Sequence, residues 1–139
     1  MQLTVKEWMK DLVVFLDPDS SVAEALQVMR HRYINSVIVN KTPDNPEYGI
    51  VTSIDICDKI VAQQRNPKEV KVREIMNSPL LTVTTQMSLK ECAVIMREHH
   101  IHHLPVLDEK GQVVGLISPT DFLVVAEAMG SDFQERTLS

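Results

Sequence analysis

No run of lysine and arginine long enough to grip a nucleic-acid backbone occurs in this chain of 139 residues. Charge leans the other way, with 19 acidic against 14 basic residues and a formal net charge of −5, so nucleic acid is not expected as a partner. Uninterrupted apolar stretches of ~18 residues are also missing. The opening MQLTVKEWMKDL carries acidic residues without the apolar centre of a secretory signal. A membrane partner is not expected, and the cytoplasm is the expected location. Cysteine is reduced to Cys57 and Cys92, too few and too far apart for a zinc motif or a disulfide framework. Both lie in apolar surroundings that suit buried, reduced thiols. Catalytic signatures are equally sparse: there is no nucleophile elbow, no glycine-rich phosphate loop with its lysine, and no pair of carboxylates at a credible spacing. An enzyme is not expected.

What the chain does contain is itself, twice. Residues 5–39 laid over residues 72–106, at a constant offset of 67, give nine identities in 35 pairs: Val5/Val72, Glu7/Glu74, Met9/Met76, Ser21/Ser88, Glu24/Glu91, Met29/Met96, Arg30/Arg97, Ile34/Ile101 and Val39/Val106. After one extra residue in the first copy's loop the match resumes at offset 66, with GIVTSIDIC from Gly49 over GLISPTDFL from Gly115. The repeats are placed at 1–70 and 71–139, the second ending in a short tail, 130–139.

Each copy reads the same way. A short amphipathic turn (VKEWM, VREIM) leads into a brief extended stretch. Ser21 with Glu24, and Ser88 with Glu91, have the spacing of a capping box, in which hydroxyl and carboxylate satisfy each other's orphan amides. The helices that follow carry apolar stripes at 22, 25, 26, 28 and 29 and at 89, 92, 93, 95 and 96. SVIV and HLPVL read as short buried strands, and GIVT and VVGLIS as a second strand in each copy. A closing helix is expected from about 54 to 64 and from 119 to 129. The order is β-α-β-β-α in each copy.

This repeat, the segment IHHLPVLD and the paired motif G-h-h-[ST]-x-x-D (h apolar) resemble the cystathionine-β-synthase (CBS) domain family. The resemblance covers residues 3 to 129. It implies an α+β fold of two tandem β-α-β-β-α repeats packed with pseudo-two-fold symmetry into a Bateman module, with two clefts between the copies. Many such modules bind adenosine compounds there and regulate a fused or separate partner. No catalytic or channel domain is expected to accompany this one.

The motif also has its own chemistry. In GLISPTDFL a strand runs into a helix with Ser118 at the N-cap and Pro119 at the favoured first position. Amides and the positive end of the helix dipole then lie beside Thr120 and Asp121. A carboxylate there offers only acceptors, which suits the two O–H donors of a ribose, although capping the helix would also employ it. The resemblance favours the ribose at Asp121, with Ser118 and Thr120 on ribose or phosphate. It makes Leu12, Val13 and Ile34 the adenine neighbours. A second cleft would pair Asp55 and Thr52 with Pro79, Leu80 and Ile101. That cleft has Ile54 in place of Thr120, and Asn35 and Ser36 in place of His102 and His103, so it is expected to take a less charged adenosine compound or none.

Four of the five histidines fall in HHIHH, residues 99–103. His102 and His103 precede the strand LPVL, where related modules place a basic residue that reaches phosphate. Imidazole donates to phosphate, more strongly once protonated near its reference pKa of ~6.5. His99 and His100 are expected to cap the preceding helix. No metal centre is expected, because adjacent histidines on a strand point to opposite faces and no cysteine or carboxylate motif joins them. No cofactor is required. The expected ligand is AMP, ADP or ATP, with S-adenosylmethionine and NAD open, since all present the same adenosine. Expected partners are a second copy, forming a homodimer through the apolar closing helices, and a regulated protein the sequence does not name. The alternative is an interaction adaptor whose clefts bind no ligand.

Overall fold

A computed structural model describes residues 3–138, with side chains as far as Gly130. The chain forms two compact units, one made of Val13–Leu80 and the other of the segment up to Leu12 together with everything from Leu81.

In the unit 13–80, β1 (Phe15–Leu16), α2 (Val22–Arg32), β2 (Ser36–Val39), β3 (Gly49–Thr52) and α3 (Ser53–Ile56) follow in order, with a π-helical stretch Cys57–Val61 and then α4 (Val72–Ile75). In the other unit, α1 (Val5–Trp8) joins β4 (Val83–Thr84), α5 (Leu89–His99), β5 (Leu104–Leu107), β6 (Val113–Ile117) and α6 (Pro119–Leu138). Each unit holds one three-stranded sheet, ordered β1-β2-β3 and β4-β5-β6, with the first pair parallel and the second antiparallel. The central strands β2 and β5 read as near-continuous apolar runs because both faces are covered. Val37, Ile38 and Val39, and Leu104 and Val106, are fully buried.

The expected stripes pack except at Ala93, which is exposed. Val22, Ala25 and Met29 enter one core, and Leu89, Cys92 and Met96 the other. Only the hydroxyl half of each expected capping box is seen among the described residues: Ser21 Oγ accepts from Glu24 N–H at 3.1 Å, and Ser88 Oγ from Glu91 N–H at 3.1 Å. Other first-turn amides of α2 find carbonyls instead, Val22 N–H on Val70 O and Ala23 N–H on Pro67 O. Both helices end on a left-handed residue, Tyr33 and His100, each donating its N–H to Met29 O or Met96 O.

Three expectations need correction. Cys92 is buried, but Cys57 is exposed, because Ile56 and Ile60 take the core-facing positions of its segment. The first closing helix is not one α-helix over 54–64. It widens after Ile56 into π-type turns, with Ala62 N–H bonded to Cys57 O at 3.0 Å. The second runs past 129 to Leu138, since Gly130 does not take the positive φ that would end it.

The packed units are bounded differently from the repeats 1–70 and 71–139, because each repeat's leading segment closes the opposite unit. Val5 N–H bonds Met87 O at 2.9 Å and Leu89 N–H bonds Leu3 O at 3.0 Å, tying α1 to the second repeat. In the same way Val72 N–H bonds Ser20 O at 2.8 Å and Arg73 N–H bonds Pro18 O at 3.2 Å, tying α4 to the first. Val5 and Val72 are fully buried, each burial contributing about 1.5–3 kcal/mol. Four residues further on, Met9 lies against Gly115 and Met76 against Gly49, the glycines that open the two motifs. Lys10 and Asn77 then pair backbone to backbone with Leu116 and Ile50. The leader thus lies directly over the motif.

Candidate functional site

In the second motif, β6 delivers Ser118 to the start of α6, and Asp121 is the third residue of that helix. Its carboxylate folds back on the turn. Oδ2 accepts the Ser118 N–H at 2.8 Å and lies 3.4 Å from the Ser118 hydroxyl, which is itself 2.9 Å from the Thr120 hydroxyl. Oδ1 faces Lys10 Nζ at 3.7 Å, an ion pair between a buried carboxylate and a lysine side chain that is 66% exposed. Asp121 is therefore a buried acceptor with one oxygen fixed by the backbone and the other facing only an exposed cation at 3.7 Å. Two hydroxyls stand on the same turn.

The first motif has the same frame and a different filling. Thr52 and Asp55 form a complete capping box, Asp55 Oδ2 accepting the Thr52 N–H at 2.8 Å and its hydroxyl at 3.1 Å. Asn77 Nδ2 donates to both carboxylate oxygens at 3.1 Å. Lys59 Nζ lies 3.0 Å from Oδ1 and also donates to Ile75 O at 2.8 Å. A carboxylate has about four lone-pair sites, and here they are taken.

The sequence reading placed Asp121, Ser118, Thr120, Asp55 and Thr52 correctly on strand-to-helix turns. It missed Lys10, Lys59 and Asn77. Lys10 and Asn77 had a signal, since the offset of 67 pairs them directly after Met9 and Met76. His102 is exposed and His103 half-buried, both immediately before β5; His99 ends α5 and His100 is its C-cap. Pro79 is exposed and Leu80 and Ile101 are half-buried. Leu12 is exposed in the unit of Asp121, whereas Val13 and Ile34 belong to the unit of Asp55. There Ile34, Asn35, Ser53, Met29, Arg30 and Tyr33 line a cavity of about 580 Å³ that opens to solvent. Among the described residues, no three His, Cys, Asp or Glu side chains are grouped as metal ligands.

Two sheets, two repeated strand-to-helix turns and two leaders coincide with a family profile, that of the CBS domain, which matches residues 5–62 and 72–127. This chain belongs to the CBS domain family. It is a CBS pair, 32% identical over 88% of its length to an uncharacterised protein of Methanopyrus kandleri, of whose own length it spans 62%. A hexameric CBS-CP12 protein from bloom-forming cyanobacteria superposes with a TM-score of 0.83 at 31% identity, over 88% of this chain and 67% of that one. The CBS domain pair of the protein MJ0100, solved with 5′-methylthioadenosine and S-adenosyl-L-methionine, shares the fold with a TM-score of 0.78 at 23% identity, over 95% and 99% of the two chains. No described helix is long and apolar enough to cross a membrane.

Proposed function

We propose that this CBS pair is a non-enzymatic cytoplasmic sensor that binds an adenine ribonucleotide at the Asp121 motif and modulates a separate protein. The observation that carries the reading is the carboxylate of Asp121, buried, anchored through Oδ2 and left with Oδ1 facing an exposed lysine at 3.7 Å. A ribose diol supplies two donors to that oxygen edge. Ser118 and Thr120 would contact ribose or phosphate, His102 and His103 the phosphate, and Leu12 the adenine. Lys10 adds a cation that can leave Asp121 for a phosphate. The adenosine compounds held by the MJ0100 pair accord with this class of ligand. AMP, ADP and ATP fit it equally, as do S-adenosylmethionine and NAD.

Calorimetric titration with AMP, adenosine and 2′-deoxyadenosine tests the reading. Asp121→Ala is expected to weaken AMP binding more than tenfold, matching ~1.5–3 kcal/mol for charge-assisted hydrogen bonds. The 2′-deoxy compound should bind the native protein worse than adenosine does, and the variant almost equally. Equal AMP affinity for native protein and Asp121→Ala would refute the assignment.

The closing helices support a homodimer in the same proposal. Ile54 and Val61 in one unit, and Leu123, Val124 and Met129 in the other, are all more than half exposed. Apolar helix faces of this kind need cover, and a two-fold pairing of identical chains is the commonest way to supply it.

A further inference from the structure

The two motifs are alike in sequence and unlike in what their carboxylates hold, and the difference lies in the helix that follows each motif and in the leader that covers it. In the second copy the helix after the motif is regular, and Val125, four residues beyond Asp121, enters the core. In the first copy the residue that enters the core is Ile60, five beyond Asp55. Over Cys57–Val61 the helix is π-wound, with Ala62 N–H bonded to Cys57 O, five residues back. Ile60 rather than Lys59 enters the core, and Lys59 lies on Asp55, four residues before it. Its ammonium is held twice, 3.0 Å from Asp55 Oδ1 and 2.8 Å from Ile75 O, while Asn77 bridges both carboxylate oxygens from the leader side.

We infer that Lys59 and Asn77 are built-in occupants of the Asp55 motif, filling the place a ribose would take and making the protein a one-ligand device. This rests on the proposed reading of Asp121 as a ribose acceptor. An incoming diol at Asp55 must displace an ammonium tethered four residues away, whose effective concentration no free nucleoside matches. It would also have to release Asn77. At Asp121 the same diol meets only the loose 3.7 Å contact of an exposed Lys10. The occupancy is thus set inside one unit, without reference to phosphate. It predicts exclusion even of ligands that need no cation.

Adenosine is therefore the probe. Calorimetry on the full chain should give one adenosine per native chain. The double variant Lys59→Met, Asn77→Ala should give two, and adding Asp55→Ala to it should return the count to one. Thermal melting checks that the double variant folds; if it does not, the milder pair Lys59→Gln, Asn77→Ala, whose glutamine keeps a neutral donor for Ile75 O, takes its place and should also reveal the second site. Two adenosines on the native chain would overturn the inference, as would a folded variant that stays at one. Failure of the ribose reading looks different: native chain and variant alike would give no heat with adenosine, and the inference would fall with it.

Discussion

Gly115→Ala offers a sharp test of how the leader meets the motif. Gly115 lies in β6 with ordinary extended backbone, so alanine is conformationally allowed. On its own the change would stabilise by about 0.4–1 kcal/mol through the unfolded chain. Against this, the added Cβ would stand 2.5 Å from Met9 Sδ and 2.9 Å from the carbonyl oxygen of Lys10. A thioether can swing aside; the carbonyl cannot. Lys10 is held by two backbone bonds to Leu116, N–H to O at 2.9 Å and O to N–H at 2.8 Å. Overpacking of this kind costs about 1–3 kcal/mol, so a net loss of about 1–2 kcal/mol is expected. Gly49→Ala is the internal control. Its Cβ would meet atoms of the Met76 side chain, whose flexible end can yield, and its net effect should lie within about 0.5 kcal/mol of zero. Urea denaturation of the two variants beside native protein measures both. Shortening the obstacle with Met9→Ala should restore little to Gly115→Ala, because the carbonyl remains. If Gly115→Ala proves as stable as Gly49→Ala, the leader does not press on the motif as described.

Calorimetry should show AMP binding weakened about tenfold in the double variant His102→Ala, His103→Ala, the loss of hydrogen bonds to a charged phosphate, with adenosine binding unchanged; equal AMP affinity for that variant and native protein would remove the histidines from the site. An aromatic disulfide reagent at pH 8 should titrate one thiol per native chain and two after unfolding, since Cys57 is exposed while burial pushes the Cys92 thiol up to about 11. Rapid reaction of both thiols in the native protein would contradict the buried position of Cys92. Light scattering should give about twice the 15.7 kDa chain mass at micromolar concentration, and charging the exposed faces with Leu123→Glu and Val61→Glu should yield monomer.

Most of each unit was legible because its elements carry strong local signals. Ser21 and Ser88 mark helix starts, the stripes through Met29 and Met96 fix which face is buried, and apolar runs at Val37–Val39 and Leu104–Val106 mark strands covered on both sides. The motif itself was legible too, since Thr52/Asp55 and Ser118/Asp121 place a carboxylate within reach of the N-cap amide by spacing alone. The π-helical stretch was not. SIDICDKIV is apolar on more than one face, so no single period distinguishes a regular turn from a widened one, and only the choice of Ile60 as core residue settles it. Nor could the partners of the two carboxylates be read. A repeat offset says which residues correspond, not which copy a segment packs against, and Lys10 and Asn77 reach their aspartates only because the leaders cross.

That crossing bears on how such a protein can be cut and recombined. A fragment ending at residue 70 carries the helix Val5–Trp8 without the strand and helix that receive it, and lacks the helix Val72–Ile75 that closes its own sheet. The complementary fragment has the reciprocal deficit. Expressed apart, each would expose a vacant seat for a segment it does not encode; expressed together, each would bring the other's missing piece, a split protein that reassembles by exchange rather than by simple docking. A chimera that transplants a half-module should therefore be joined at 12/13 and 80/81, where the chain passes from one packed body to the next, and not where the sequence begins to repeat.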